Sequence, residues 1–352
     1  MNINKTPFLI GFAAFVIGAA GLIYAQTFVT QLLLALFISI ICTKPILWLR
    51  TKKVPHGLSV AIVLVGITVI FFGFGELIGT QLSSFSADAP KYEQKIENLE
   101  NSFFQSAEKK GFNISKNNIG NAINPSKVMS ITAGLLGQLG GVMGSVFTIF
   151  FLVLFLLMEL NVIFNKAKAI IINSDNSLSF LNTIGDNIRH YLSIKTLTSL
   201  LTGGLVWIGL SILGVEYAII WSFIAFLLNY IPNIGSIIAA FPAILFALIQ
   251  LGVSGAIWTT IIFVVVNMII GNVIEPKIMG KGLGLSTFVV FLSLIFWGML
   301  LGTVGKFLAI PLTMSLKILF EQKQSTRWIA VLLGTDEDAN KMLDYKKKND
   351  AV

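Results

Sequence analysis

Along most of this chain apolar residues do not alternate with polar ones; they run together. The chain holds such runs at 8–24, 28–49, about 57–82, about 131–158, about 197–213 and 254–274. At about 17 or more residues, each is long enough to cross the roughly 30 Å hydrocarbon core of a bilayer as a helix. Two further runs are much longer. Residues 217–251 hold 35 positions without a charge, and 286–320 match them in length. A straight helix of that length would extend about 50 Å, well past one bilayer core. Both runs must turn back.

The turning points are marked in the residues. In "NYIPNIGSIIAAFPAI", 229–244, Pro232 has no amide hydrogen and disfavours helix at Ile231. Asn233 and Gly235 accept turn conformations. In the second run, Gly302-Thr303-Val304-Gly305 interrupts the helix at its midpoint. The pattern predicts two helical hairpins with tips at 232–235 and 302–305. "PNIGSIIAAFP" and "GTVGKFLAIP" share a rhythm: a breaker, then Gly, apolar residues and Ala, then Pro (Pro311 in the second). The layout is span plus hairpin over 197–213 and 217–251, repeated over 254–274 and 286–320 from the opposite side. Inverted-repeat transporters are built this way, with broken helices meeting near the midplane around the substrate. Irregular backbone at that depth is tolerated only when buried or lining a cavity.

The polar segments divide the rest. Residues 1–82 carry helices one to three. Residues 83–130 hold six lysines and five acids, and Tyr92, Ile96, Leu99 and Phe103 mark one face of an amphipathic helix that opens at Pro90. That stripe packs on the protein's own outer surface or meets another subunit. In the fourth membrane helix, 131–159, Gly134, Gly137, Gly140, Gly141 and Gly144 form a face for close packing or a thin wall beside a moving element. Over 160–196, Leu178, Leu181, Ile184, Ile188 and Tyr191 make an apolar stripe bordered by basic residues, suited to the membrane interface. Residues 197–320 are the expected transport core, and 321–352 a cytoplasmic tail.

Composition sharpens the class. The chain is 55% hydrophobic and 12% charged, with a mean hydropathy of +0.84; soluble domains average about 25% charged residues. The expectation is an all-α polytopic membrane protein with about eight membrane segments. The net charge of +8 is not spread as a nucleic-acid surface, because the basic residues cluster between apolar runs. Lys44, Arg50, Lys52 and Lys53, with no acid among them, place the linker after the second run in the cytoplasm. Both termini then lie inside and 83–130 outside. Residues 8–24 lack a small-x-small cleavage pattern at "AQT", and read as a membrane helix rather than a leader.

Chemistry narrows in the same way. The single Cys42 excludes an intrachain disulfide, and His56 and His190 make no histidine metal cluster. The sequence carries no Ser/His/Asp, HExxH or GxxxxGK[ST] pattern, so no catalytic, metal, cofactor or ATP role is expected. Polar groups inside apolar runs cost several kcal/mol unless partnered, so they are the site candidates. Asn229 and Asn233 flank the first tip, while Asn267, Asn272, Glu275 and Pro276 end the following span. Glu275 is a cation or proton site on the pathway, or else it caps the helix with Asn272 and pairs with Lys277 or Lys281. Lys306 binds an anionic solute or faces a water-filled vestibule. Glu76 pairs across helices or snorkels outward.

One segment carries a specific resemblance. "NVIEPKIMGKGLGLSTFVVFLSLIFWGMLLGTVGKFLAIPLT", 272–313, resembles the signature region of the autoinducer-2 exporter family, the PerM-type permeases. "YIPNIGSIIAAFPAI" is similar to that family's other diagnostic segment. The basic linker, the polar insertion and "IRHYLSIKTLTSLLTGG" extend the resemblance to about residue 320. It implies eight membrane segments, homo-oligomeric assembly, and export or exchange of small solutes. Autoinducer-2 and similar signals are the cargo for some members, with sodium/proton antiport for others. It makes Asn272, Glu275 and Pro276 the best matches to a family motif. Family members often carry Pro near Thr287, a departure that bears on how the second hairpin starts. Three readings stand: an ion-driven secondary transporter exporting a small polar solute through the cell membrane, a sodium/proton antiporter, and a non-transporting membrane scaffold. The second is disfavoured by few intramembrane carboxylates, with Glu76, Glu159 and Glu275 the nearest.

Overall fold

A computed structural model describes residues 5–109, 134, 146–170, 175–232, 234–279, 284–340 and 342–343. The described residues hold helices and no strand. In order these are α1 (Lys5–Tyr24), α2 (Gln26–Thr51), α3 (His56–Lys109), α4 (Val146–Ile170), α5 (Asp175–Leu213), α6 (Ala218–Leu228) and α7 (Gly235–Ile269). A π-helical turn (Ile270–Ile274), α8 (Glu275–Met279), α9 (Thr287–Glu321) and α10 (Arg327–Leu333) follow. Among the described residues five stretches are long and apolar enough to cross a membrane: Gln26–Thr51, His56–Phe85, Thr183–Leu213, Gly235–Met279 and Thr287–Glu321. Large apolar side chains such as Trp207, Val264 and Phe288 stand exposed on them, as lipid-facing residues do. This is an all-α polytopic membrane protein.

Two polar boundaries are not backbone breaks. α3 runs unbroken through 82–83 and through Pro90. A proline inside a helix removes one hydrogen bond, and outside lipid the freed carbonyl can turn to water. α5 likewise runs through 196–197. Of the glycine face in the fourth segment, Gly137, Gly140, Gly141 and Gly144 lie outside the described residues, as does 110–130.

The chain divides into two compact units. The terminal unit comprises Met1–Leu64, Ser145–Ser193 and Met279–Val352. Its core gathers Phe37, Ile188, Tyr191, Leu192, Val289, Leu308 and Ile310. The central unit comprises Val65–Gly144 and Ile194–Ile278. Its core is built on Phe85, Tyr92, Val206, Leu210, Trp221, Ala243 and Phe246.

Each long run does reverse. In the central unit α6 is 11 residues, about 17 Å and too short to cross a bilayer. The chain then turns and returns as the first half of α7. Ile231 N–H donates to the Leu228 carbonyl (2.8 Å) and Gly235 N–H to the Ile231 carbonyl (3.2 Å). Gly235 sits so tightly on the Leu228 carbonyl that no Cβ fits. In the terminal unit α9 breaks at Gly302 (φ 63°, ψ −144°). This backbone region is essentially confined to glycine. A Cβ on Gly305 would overlap the Trp297 carbonyl, two helical turns back in sequence, so the limbs fold together.

Gly302 has a structural twin, but not at the first tip. Gly252, inside α7, takes φ 75° and ψ −165°. A Cβ on Gly255 would come 3.0 Å from the Ala247 carbonyl oxygen, again two turns back. "LGVSG", 251–255, and "LGTVG", 301–305, are therefore one construction used twice. The two hairpin tips share a sequence rhythm and differ in build: a proline-centred series of turns in one, a single glycine in the other.

The start of α9 needs no proline. Ser286 is its N-cap, its hydroxyl accepting from Val289 N–H at 3.2 Å, with Thr287 as the first helical residue. The serine cap satisfies the Val289 amide, one of the donors at the helix start that has no partner within the helix. The C-terminal segment folds onto this region: Ser286 N–H donates to the Leu333 carbonyl at 3.2 Å, and Ala330 is buried.

Candidate functional site

At the break in the first hairpin a helix-end carbonyl is met by a side chain. Asn229 is the C-cap of α6, and its own N–H is spent on Ala225. In a tightening helical end its carbonyl would accept from the amide three residues on. That residue is Pro232, which has none. The carbonyl oxygen instead accepts from Lys195 Nζ at 3.2 Å. The C-terminal end of a helix carries partial negative charge, so a cation is favoured there.

Lys195 reaches this point from α5, whose buried face presents Lys195, Thr198, Ser199 and Thr202 at helical spacing. Its Nζ also lies 2.6 Å from Glu275 Oε1, with side chains only 5% and 16% exposed. Glu275 follows the π-helical turn Ile270–Ile274. The wider turn shifts the register of what comes after it. The Asn229 amide donates to Ser199 Oγ at 3.0 Å, and the Tyr230 hydroxyl to Thr196 Oγ1 at 2.9 Å. One buried ion pair thus joins three segments: α5, the broken end of α6 and the start of α8. Burying either charge alone costs several kcal/mol, so the pair holds only as a pair.

The other predicted residues distribute as follows. Asn267 Oδ1 lies close over Gly271, 3.1 Å from where a Cβ would be. Asn272 and Pro276 are exposed. Glu275 pairs with Lys195, not with the exposed Lys277; Asn233 and Lys281 lie outside the described residues. Gly302, Gly305, Lys306 and Pro311 belong to the terminal unit. There Pro311 is buried, and Lys306 is exposed with its stem against Gly298. Trp297 Nε1 donates to Thr313 Oγ1 (3.0 Å), tying the two limbs. Glu76 is exposed on α3. Among the described residues no group of three or more metal-ligating side chains occurs.

Sequence reading passed over Lys195 and Ser199. Lys195 sits in the cytoplasmic link by charge, yet "KTLTSLLT" puts hydroxyls three, four and seven residues after it. A lysine aligned with hydroxyls on a helix about to enter lipid was the available signal.

At the other end of the central unit, before α6 and beyond the apolar part of α3, polar groups gather. Tyr92 OH donates to Glu216, Tyr217 OH to Asp88, and Lys91 lies 3.7 Å from Glu216. The Gln250 side chain accepts from Glu216 N–H (2.8 Å) and donates to the Gly214 carbonyl (3.0 Å). Burial and then the bond to Asp88 push the Tyr217 hydroxyl up to about 12. Burial, reinforced by Glu216, raises that of Tyr92 as well. Phe85, Trp221 and Phe246 pack beside these rings. The clasp joins the extension of α3 to both ends of the first hairpin.

The family model described as AI-2E family transporter matches residues 12–325. A Haemophilus influenzae protein named provisionally as a transport protein is 39% identical over 96% of this chain and 99% of its own. The AI-2 transport protein TqsA of Escherichia coli is 35% identical over 97% of this chain and 98% of its own.

Proposed function

The chain belongs to the AI-2E transporter family, and from that premise we propose that it is a secondary transporter of a small polar solute. The solute is an organic compound of the autoinducer-2-like kind, as the name of the Escherichia coli relative suggests. It is exported or exchanged across the cell membrane at the expense of an ion gradient. The observation that carries this reading is the Lys195–Glu275 pair set against the broken end of α6. Charges buried in a membrane protein are costly and mark solute or ion paths, and broken helix ends supply the polar atoms that such paths need. Asn229, Pro232, Gly235 and Glu275 line the path in this reading. Gly302, Gly305, Lys306 and Pro311 are the corresponding elements of the second hairpin. Both termini face the cytoplasm, which the exposed Lys44, Arg50, Lys52 and Lys53 support.

The test is counterflow in proteoliposomes with labelled polar solutes, run with and without a sodium or proton gradient. The expected result is gradient-stimulated flux in the wild type, reduced about tenfold or more in Glu275→Gln. Folded protein that moves no solute and no ion under any gradient overturns the reading and leaves a membrane scaffold.

A further inference from the structure

We infer that the C-terminal segment is a staple across the two feet of the second hairpin, and that it sets how readily that hairpin opens. As a control on transport, the inference rests on the function proposed above. As a statement about the hairpin it does not.

The limbs of α9 meet at Gly302, and their far ends are the feet. The first foot is Gly284–Thr287; the second is Lys317–Glu321. Lys317 is buried, and its Nζ donates to the Gly284 carbonyl at 2.7 Å, which ties foot to foot. Gly284 is held at φ 64°, in the left-handed region that favours glycine. The same Nζ donates to Asp338 Oδ2 at 2.7 Å, and Asp338 in turn accepts from Thr335 N–H at 3.1 Å. On the first foot, Ser286 N–H donates to the Leu333 carbonyl. Residues 333–338 therefore grip both feet at once. Their hold has one charged centre: Lys317 is 9% exposed, Asp338 24%, and Glu321 stands farther off at 3.5 Å and more exposed.

This is the construction of a releasable contact. Lys317 is too buried to lose its counter-charge without consequence. Asp338 follows α10 and is itself only half-buried, flanked by the exposed Asp336 and Glu337. With Asp338 in place the feet are fixed and the limbs stay closed over Gly302. With Asp338 withdrawn, Lys317 swings toward Glu321 and water, the Gly284 tie goes with it, and the limbs pivot apart at the glycine.

The experiment measures opening at the tip. In a Cys42→Ser background, a cysteine replaces buried Leu301 beside Gly302, and in a second protein buried Val206 of the central unit. Maleimide labelling rates are compared with Asp338 intact and in Asp338→Asn. A chain ending at Gly334 serves as the second variant should Asp338→Asn misfold. The expected result is labelling at position 301 about tenfold faster, unchanged labelling at 206, and solute counterflow several-fold faster. Labelling that rises equally at both positions shows plain destabilisation and overturns the inference. So does an unchanged rate at 301. Faster labelling at 301 in a protein that carries no solute supports the staple and counts against transport.

Discussion

The two hairpins are secured in different ways. The central hairpin is pinned at its tip, where Lys195, paired with Glu275, donates to the Asn229 carbonyl, and again at its far ends by Gln250 and the tyrosine clasp. The terminal hairpin is pinned at its feet by Lys317, while its tip ends in a lone glycine beside an exposed lysine. A tip built from proline leaves a carbonyl to be satisfied, and a charge is brought to satisfy it. A tip built from glycine reverses on one left-handed residue, and the side chain lying against it is the neutral amide of Gln26. The first hairpin is thus an assembled site, and the second a joint.

Three measurements test this contrast, beginning with the largest effect. Removing one partner of a buried ion pair strands the other, so Lys195→Ala or Glu275→Ala should cost about 3–5 kcal/mol. The double substitution should cost clearly less than the sum, read from denaturant unfolding in detergent. Additive losses would mean that the pair does not pin the tip. Next come the twin reversals: Gly252→Ala and Gly302→Ala each force alanine into a region essentially confined to glycine, at about 1–3 kcal/mol. Similar losses at the two sites would confirm a shared construction. Widely different ones would show that the neighbours, not the backbone, set the cost. The smallest effect near neutrality belongs to the clasp. The folded Tyr217 hydroxyl ionises at about 12, above its ordinary value of 10.0. Its contribution is therefore fully present below pH 10 and is lost as pH rises toward 12. Tyr217→Phe should flatten that part of the stability profile and leave neutral pH almost untouched.

Much of the fold was legible because lipid imposes simple demands. Run lengths gave the helices, and 35 apolar residues with a central breaker gave the reversals. The site was only half legible. Asn229 and Glu275 stand out as polar atoms in apolar surroundings, but their partner does not. Lys195 borders a basic link where lysines are ordinary, and nothing local ties it to an asparagine 34 residues on. The register shift at Ile270–Ile274 was invisible too, since a π-turn has no required residue. The likeness of the two tips misdirected in one respect. Gly302 matches Gly252 in backbone, and the available signal was the shared LGxxG spacing at 251–255 and 301–305.

α3 has a mechanical consequence. Thirty of its 54 residues form the apolar span, and the remainder projects about 35 Å beyond it as a stiff rod. Because Tyr92 and Asp88 tie the base of that rod to the start of the first hairpin, any movement of the hairpin there would be carried into the rod. A tilt of about 10° at the membrane would sweep its free end through roughly 6 Å. A displacement too small to register within the bilayer is thereby magnified outside the membrane, where a fluorophore or a neighbouring molecule can sense it.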